Sequence, residues 1–136
     1  MKVRRMQSVL IAFLAMFFFG FSLASCAPSS EPTLGYEQIN GTEAKRLMDS
    51  ERSYVIVDAR TQEEYDKGHI EGAILIPEYE IAARAESELP DRDQLILVYC
   101  RSGRRSKIAA AELVKLGYSN VKGFGGIIDW EYETVR

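Results

Sequence analysis

From position 54 onward the chain alternates short unbroken apolar runs with segments of helical spacing. Tyr54-Val55-Ile56-Val57 and Leu95-Ile96-Leu97-Val98-Tyr99 are β-branched or large apolar runs bounded by polar residues, the pattern of strands buried on both faces. Asn40 with Glu43, and Thr61 with Glu64, have the spacing at which a cap side chain and a returning carboxylate satisfy the free N–H groups of a first helical turn. They predict helices over 41–50 and 61–67. From Ser106 to Leu116, Ala109, Ala110, Leu113, Val114 and Leu116 share one side while Lys107, Glu112 and Lys115 take the other, and Gly117 supplies a left-handed stop. Ile74-Leu75-Ile76 and the stretch around Val121 complete the strand set, and Ile81 to Leu89 forms a further helix ending before Pro90. Strands alternating with helices predict an α/β domain with a parallel sheet covered on both faces.

Charge and cysteine content narrow the function. The 136 residues hold 17 Lys+Arg and 20 Asp+Glu; Lys2, Arg4 and Arg5 precede Cys26 and no acid does, so the rest carries 14 bases against 20 acids. A net charge of −6 there argues against electrostatic binding of nucleic acid. One histidine, His69, and two cysteines 74 positions apart do not make a zinc-type ligand set.

The N-terminus has the layout of a secretion signal: a basic Met1–Gln7, then an apolar run from Leu10 through Phe19 that continues to Leu23. The alternative, an uncleaved membrane helix, is disfavoured because Gly20 and Ser22 interrupt the run and it falls short of the roughly 20 residues needed to span a bilayer. Leu23-Ala24-Ser25-Cys26 resembles a bacterial lipobox, which implies that residues 1–25 are a lipoprotein signal peptide and that Cys26 becomes a diacylglycerol-modified N-terminus. Acyl chains gain about 0.8 kcal/mol per buried methylene, so such a terminus would hold the protein to a membrane outside the cytoplasm. Ala27 to Thr33 is rich in Pro and Ser and predicts a solvated spacer, so that 26–33 links the lipid to a folded domain over 34–136.

Sites in parallel sheets lie at the carboxyl ends of strands, where loops enter helices and free N–H groups converge. Two segments qualify: Asp58-Ala59-Arg60, and Cys100-Arg101-Ser102-Gly103-Arg104-Arg105-Ser106. A cysteine ending an apolar strand is commonly an inert core residue. Three arginines and a glycine within five residues do not fit a core, and a basic turn opening a helix favours the thiolate of Cys100. An unperturbed thiol of pKa about 8.5 is roughly 3% ionised at pH 7, whereas one lowered to about 6.5 is mostly thiolate. Cys100 is therefore the expected nucleophile, and it needs no histidine base. Arg101, Arg104 and Arg105, with the N–H groups of the turn, are the expected anion clamp. Asp58 and Arg60 are expected to form an ion pair bracing the neighbouring loop, and His69 to be structural.

These residues together resemble the rhodanese family. The resemblance rests on Asp58-Ala59-Arg60, Glu64-Tyr65, Gly68-His69-Ile70-Glu71-Gly72-Ala73-Ile74 leading to Pro77, the loop beginning at Cys100, and Gly125-Gly126 followed by Trp130. It implies a rhodanese-like fold of five parallel strands flanked by helices on both faces. It implies a sulfurtransferase in which Cys100 takes the outer sulfur of a small sulfur-containing anion such as thiosulfate, holds it as a persulfide and passes it to cyanide or a thiol, including that of a thioredoxin-like protein. Arg101, Ser102, Gly103, Arg104, Arg105 and Ser106 would bind the donor and cradle the persulfide, without a metal or other cofactor. A second reading is a carrier or sensor module that loads sulfur once for a protein partner. A third is phosphatase or arsenate reductase chemistry, whose loops resemble Cys, five residues, then Arg; here the sixth residue after Cys100 is Ser106, and Arg105 comes one position too early.

Overall fold

The computed structural model describes residues 35–136. The expected signal peptide, the expected lipidation at Cys26 and the expected spacer fall, with Leu34, outside the described residues. The elements in chain order are β1 (Glu37–Gln38), α1 (Gly41–Ser50), β2 (Tyr54–Asp58), α2 (Gln62–Lys67), β3 (Ala73–Leu75), α3 (Ile81–Glu88), β4 (Leu95–Cys100), α4 (Arg104–Lys115) and β5 (Val121–Gly126). One-turn 3₁₀ segments at Glu78–Glu80 and Ile127–Asp129 follow β3 and β5.

The five strands pair in parallel in the order β1-β5-β4-β2-β3, which puts β4 at the centre. All six of its residues are buried, as its continuous apolar run requires. Alternation along the strands then divides the core into two layers. Val57, Ile96, Val98 and Cys100 face Ile81 and Ala85 of α3 and Ala109, Ala110 and Leu113 of α4. Ile56, Leu97, Tyr99 and Phe124 face Ala44 and Leu47 of α1, with Tyr65 of α2 and Trp130 packed alongside. Helices thus cover both faces.

The caps form where the spacing placed them. The Asn40 side chain accepts the Glu43 N–H, and Thr61 with Glu64 makes a reciprocal capping box. Glu43 turns its carboxylate to Arg46 instead of back to its cap. Gly117, at φ +94°, ends α4. Tyr118 fixes the end of α3, its hydroxyl lying 2.9 and 2.8 Å from the Ala85 and Leu89 carbonyls.

The two-residue β1 and both 3₁₀ turns leave no periodic trace in the sequence and were not expected. β3 begins one residue before the expected Ile74, and α3 stops at Glu88. The main correction concerns α4, which begins at Arg104, two residues before the expected Ser106. Arg104 and Arg105 are exposed or half-buried first-turn residues, so they add nothing to the apolar periodicity that reveals the helix.

Candidate active site

Cys100 is the last residue of the central strand, and the chain turns through Arg101, Ser102 and Gly103 before α4 starts. The turn closes tightly because Gly103 adopts φ +107°, a conformation that a side chain resists. Gly103 is the N-cap of α4 and has no side chain with which to cap it. The free donors of the first turn are accordingly available to the sulfur. The Gly103 N–H donates to Cys100 Sγ at 3.0 Å, and the Cys100 thiol donates to Ser106 Oγ at 3.7 Å. Burial pushes the thiol up, but the N–H groups of Ser106, Gly103 and Ser102 and the Ser106 hydroxyl outweigh it, so the Cys100 pKa lies below its ordinary value.

Ser106 is wholly buried, and its hydroxyl lies 3.0 Å from the Gly103 carbonyl and 3.1 Å from that of Gly125. It has one proton for these acceptors and for the sulfur, which it can reach by rotation once the thiol ionises. The β4–β5 register shifts here: Val98 pairs with Gly123 but Cys100 with Gly126, so β5 carries one extra residue. Gly125, at φ +84°, absorbs it. The irregularity brings the Gly125 carbonyl to Ser106 and the backbone of Gly126 against the turn, where a Cβ would overlap the Arg101 carbonyl. The Ile128 N–H donates to that same carbonyl at 3.2 Å.

The arginines divide into two kinds. Arg105 reaches across to α2 and donates to both carboxylate oxygens of Glu64, at 2.7 and 2.8 Å. The Arg105 guanidinium, assisted by the Thr61 N–H, holds Glu64 against the opposing effect of burial at a pKa of about 2. Arg101 and Arg104 are exposed and form no ion pair among the described residues. Arg101 also lines a cavity of about 290 Å³ together with Arg60, Glu64 and Ile128. Ser102 is exposed at the tip of the turn.

Asp58 and Arg60 form the expected ion pair, at 2.7 Å and almost wholly buried. Arg60 also donates to the Gly68 carbonyl at 2.7 Å, while Tyr99 donates its hydroxyl to Asp58 at 2.6 Å and accepts the Ile70 N–H at 3.1 Å. This network ties the loop after β2 to the connection between α2 and β3, on the β2 side of the Cys100 turn. His69 stacks on Tyr65, ring centroids 3.7 Å apart, and its Nδ1 lies 3.0 Å from the Tyr65 carbonyl.

Sequence reasoning missed Glu64 as the partner of Arg105, Tyr99 as the partner of Asp58, and the contact between Gly126 and the turn. Only Glu64 had a visible signal, since its carboxylate was recognised for capping and had oxygens to spare.

A cup of N–H groups closed around one sulfur fits a family assignment that sequence and structure comparison both make. A model of the rhodanese-like domain matches residues 40–133. The chain belongs to the rhodanese-like family. The thiosulfate sulfurtransferase PspE of Escherichia coli is 38% identical over 80 residues, covering 59% of this chain and 77% of PspE. YrkF of Bacillus subtilis, named as a candidate sulfur carrier protein, is 38% identical over 107 residues; the match covers 78% of this chain and 57% of YrkF. A solved Escherichia coli structure, described as rhodanese with anions, superposes with a TM-score of 0.59 at 34% identity over 62% of this chain and 99% of that one. These relatives place the chain in a sulfurtransferase family. For a rhodanese-like domain the arrangement has a clear chemical capacity: a sulfur whose ionisation is eased by backbone donors, with two guanidinium groups outside it that are unpaired among the described residues, can attack an anionic sulfur compound as its thiolate.

Proposed function

We propose that this rhodanese-like protein is a thiosulfate:acceptor sulfurtransferase acting through a persulfide on Cys100. The Gly103 N–H aimed at Cys100 Sγ carries this reading, because that donor stabilises an anion on the attacking sulfur and later on the leaving one. In the first step the Cys100 thiolate attacks the outer sulfur of thiosulfate. A sulfur–sulfur bond forms to Cys100 as the donor's own breaks, and sulfite leaves with the bonding pair. Arg101 and Arg104 draw in the dianionic donor and offset the charge on sulfite, while Arg105, tied to Glu64, holds the turn in shape. In the second step cyanide or a thiolate attacks the outer sulfur of the persulfide, and Cys100 departs as thiolate.

Two observations bear on the alternatives. Cys100 is 1% exposed, which restricts attack to small or slender acceptors that enter the cup and is compatible with slow turnover by a carrier. Phosphate-ester or arsenate chemistry is disfavoured because the sixth position after Cys100 holds the buried Ser106, and Arg105 is engaged by Glu64. We further propose, from residues 23–26, that Cys26 is lipidated and tethers the domain on the extracytoplasmic side of a membrane.

Intact-protein mass spectrometry after incubation with thiosulfate tests the chemistry. One added sulfur, mapping to Cys100 and removed by cyanide as thiocyanate, supports it; an unmodified mass overturns it. Repeated thiocyanate release distinguishes an enzyme from a carrier that loads once.

A further inference from the structure

A second cavity, of about 520 Å³, opens at the other end of the sheet. Tyr54, the first residue of β2, lines it and pairs in register with Leu95, whereas Cys100 ends the same β4 strand five residues on, roughly 16 Å away. The cavity is therefore separate from the sulfur chemistry. Its size falls in the ordinary range for small-molecule sites, roughly 300–1,000 Å³.

Aromatic and acidic side chains make up most of its lining. Tyr54, Trp130 and Tyr132 supply aromatic surface, with Trp130 and Tyr132 meeting edge to face at 4.9 Å between centroids. Asp49, Glu71, Glu131 and Glu133 supply four carboxylates against the single ammonium of Lys45. Lys45 pairs with Asp49, and Glu71, Glu131 and Glu133 have no cationic partner among the described residues. The cavity already attracts one cation, since Lys45 Nζ lies 5.7 Å from the centre of the Tyr132 ring while bonded to Asp49. Aromatic faces attract ammonium groups through their quadrupole, and unmatched carboxylates add long-range attraction.

We propose that this cavity binds a small organic ammonium ion, its charged head against Tyr132 and Trp130 and its charge matched by Glu131 and Glu133. Lys45 occupies part of the same field and competes with the ligand.

Trp130 is the only tryptophan in the chain, so its emission reports directly on the cavity. The test is a titration of the full-length protein in non-ionic detergent with choline chloride, ionic strength held constant with sodium chloride, beside 3,3-dimethyl-1-butanol as a neutral analogue of the same shape. The expected result is a saturable change with choline, at a Kd in the millimolar range or tighter, and none with the neutral alcohol. Tyr132→Leu, at a site 38% exposed and so tolerant of replacement, should weaken binding roughly three- to thirtyfold, and Lys45→Met should tighten it. Calorimetry gives the same constants where the Tyr132 replacement alters baseline emission. Absence of a saturable response, an equal response to the alcohol, or unchanged affinity in Tyr132→Leu would overturn the proposal. None of these readouts depends on sulfur transfer.

Discussion

Arg105 in the first turn of α4 and Glu64 in α2 are joined by two parallel hydrogen bonds, 2.7 and 2.8 Å long, both side chains being mostly buried. The contact locks the helix that opens beneath the Cys100 turn onto the opposite wall of the site. A paired, fork-shaped contact of this kind contributes about 1–2 kcal/mol after allowance for partial exposure. Glu64 titrates near 2, below its unfolded value, so this stabilisation is complete above about pH 5 and is lost as pH falls toward 2. Glu64→Gln should lower stability at pH 7 and flatten its decline in acid, read by urea denaturation at several pH values. An unchanged acid limb would remove Glu64 from the account.

Arg101 should behave differently from Arg105. With no ion pair in the described structure, Arg101 contributes little to stability, and Arg101→Ala should raise the KM for thiosulfate by roughly tenfold while leaving kcat nearly constant. Arg105→Ala should lower kcat and the melting temperature together, because it releases Glu64 and loosens the turn. Steady-state kinetics beside thermal melts separate the two; an unaltered KM in Arg101→Ala refutes the clamp.

Neighbouring glycines at the end of β5 predict opposite kinds of damage. Gly125 has open space around it but φ +84°, so Gly125→Ala should cost about 1–2 kcal/mol through backbone strain alone. Gly126 has an ordinary φ of −133°, yet its Cβ would overlap the Arg101 carbonyl. Gly126→Ala must displace the turn, with a cost of about 1–3 kcal/mol and loss of most sulfur transfer. Near-normal activity in Gly126→Ala would show that the turn is less constrained than its packing indicates.

The buried Asp58 should be more important for folding than for reaction. Asp58→Ala strands the Arg60 guanidinium and is expected to cost about 3–5 kcal/mol. Tyr99→Phe orphans the Ile70 N–H and removes a donor from Asp58, for about 1–3 kcal/mol. Chemical denaturation measures both; a loss under 1 kcal/mol in Asp58→Ala would contradict the bracing role.

Much of this architecture was legible from the chain. The buried strands announced themselves as unbroken apolar runs, and Thr61 and Glu64 marked a helix start that has the expected capping geometry. The Asp58–Arg60 pair was visible because two opposite charges flanked one alanine after a buried strand. Elements with no periodicity stayed hidden: β1 is two residues long, and the first turn of α4 is polar. The Arg105–Glu64 contact spans 41 positions, so only the fold brings it together, and nothing about Gly126 distinguishes steric need from conformational need until its neighbours are placed.

The central claim is that Cys100 is a stabilised thiolate. The pH dependence of its alkylation by iodoacetamide tests this most directly, followed in a Cys26→Ser chain so that one thiol remains. Because Cys100 is 1% exposed, the midpoint of the profile is informative and the absolute rate is not. The account predicts a midpoint below the ordinary thiol value of about 8.5, moving back up in Ser106→Ala. A midpoint at or above that value in the Cys26→Ser chain would contradict it.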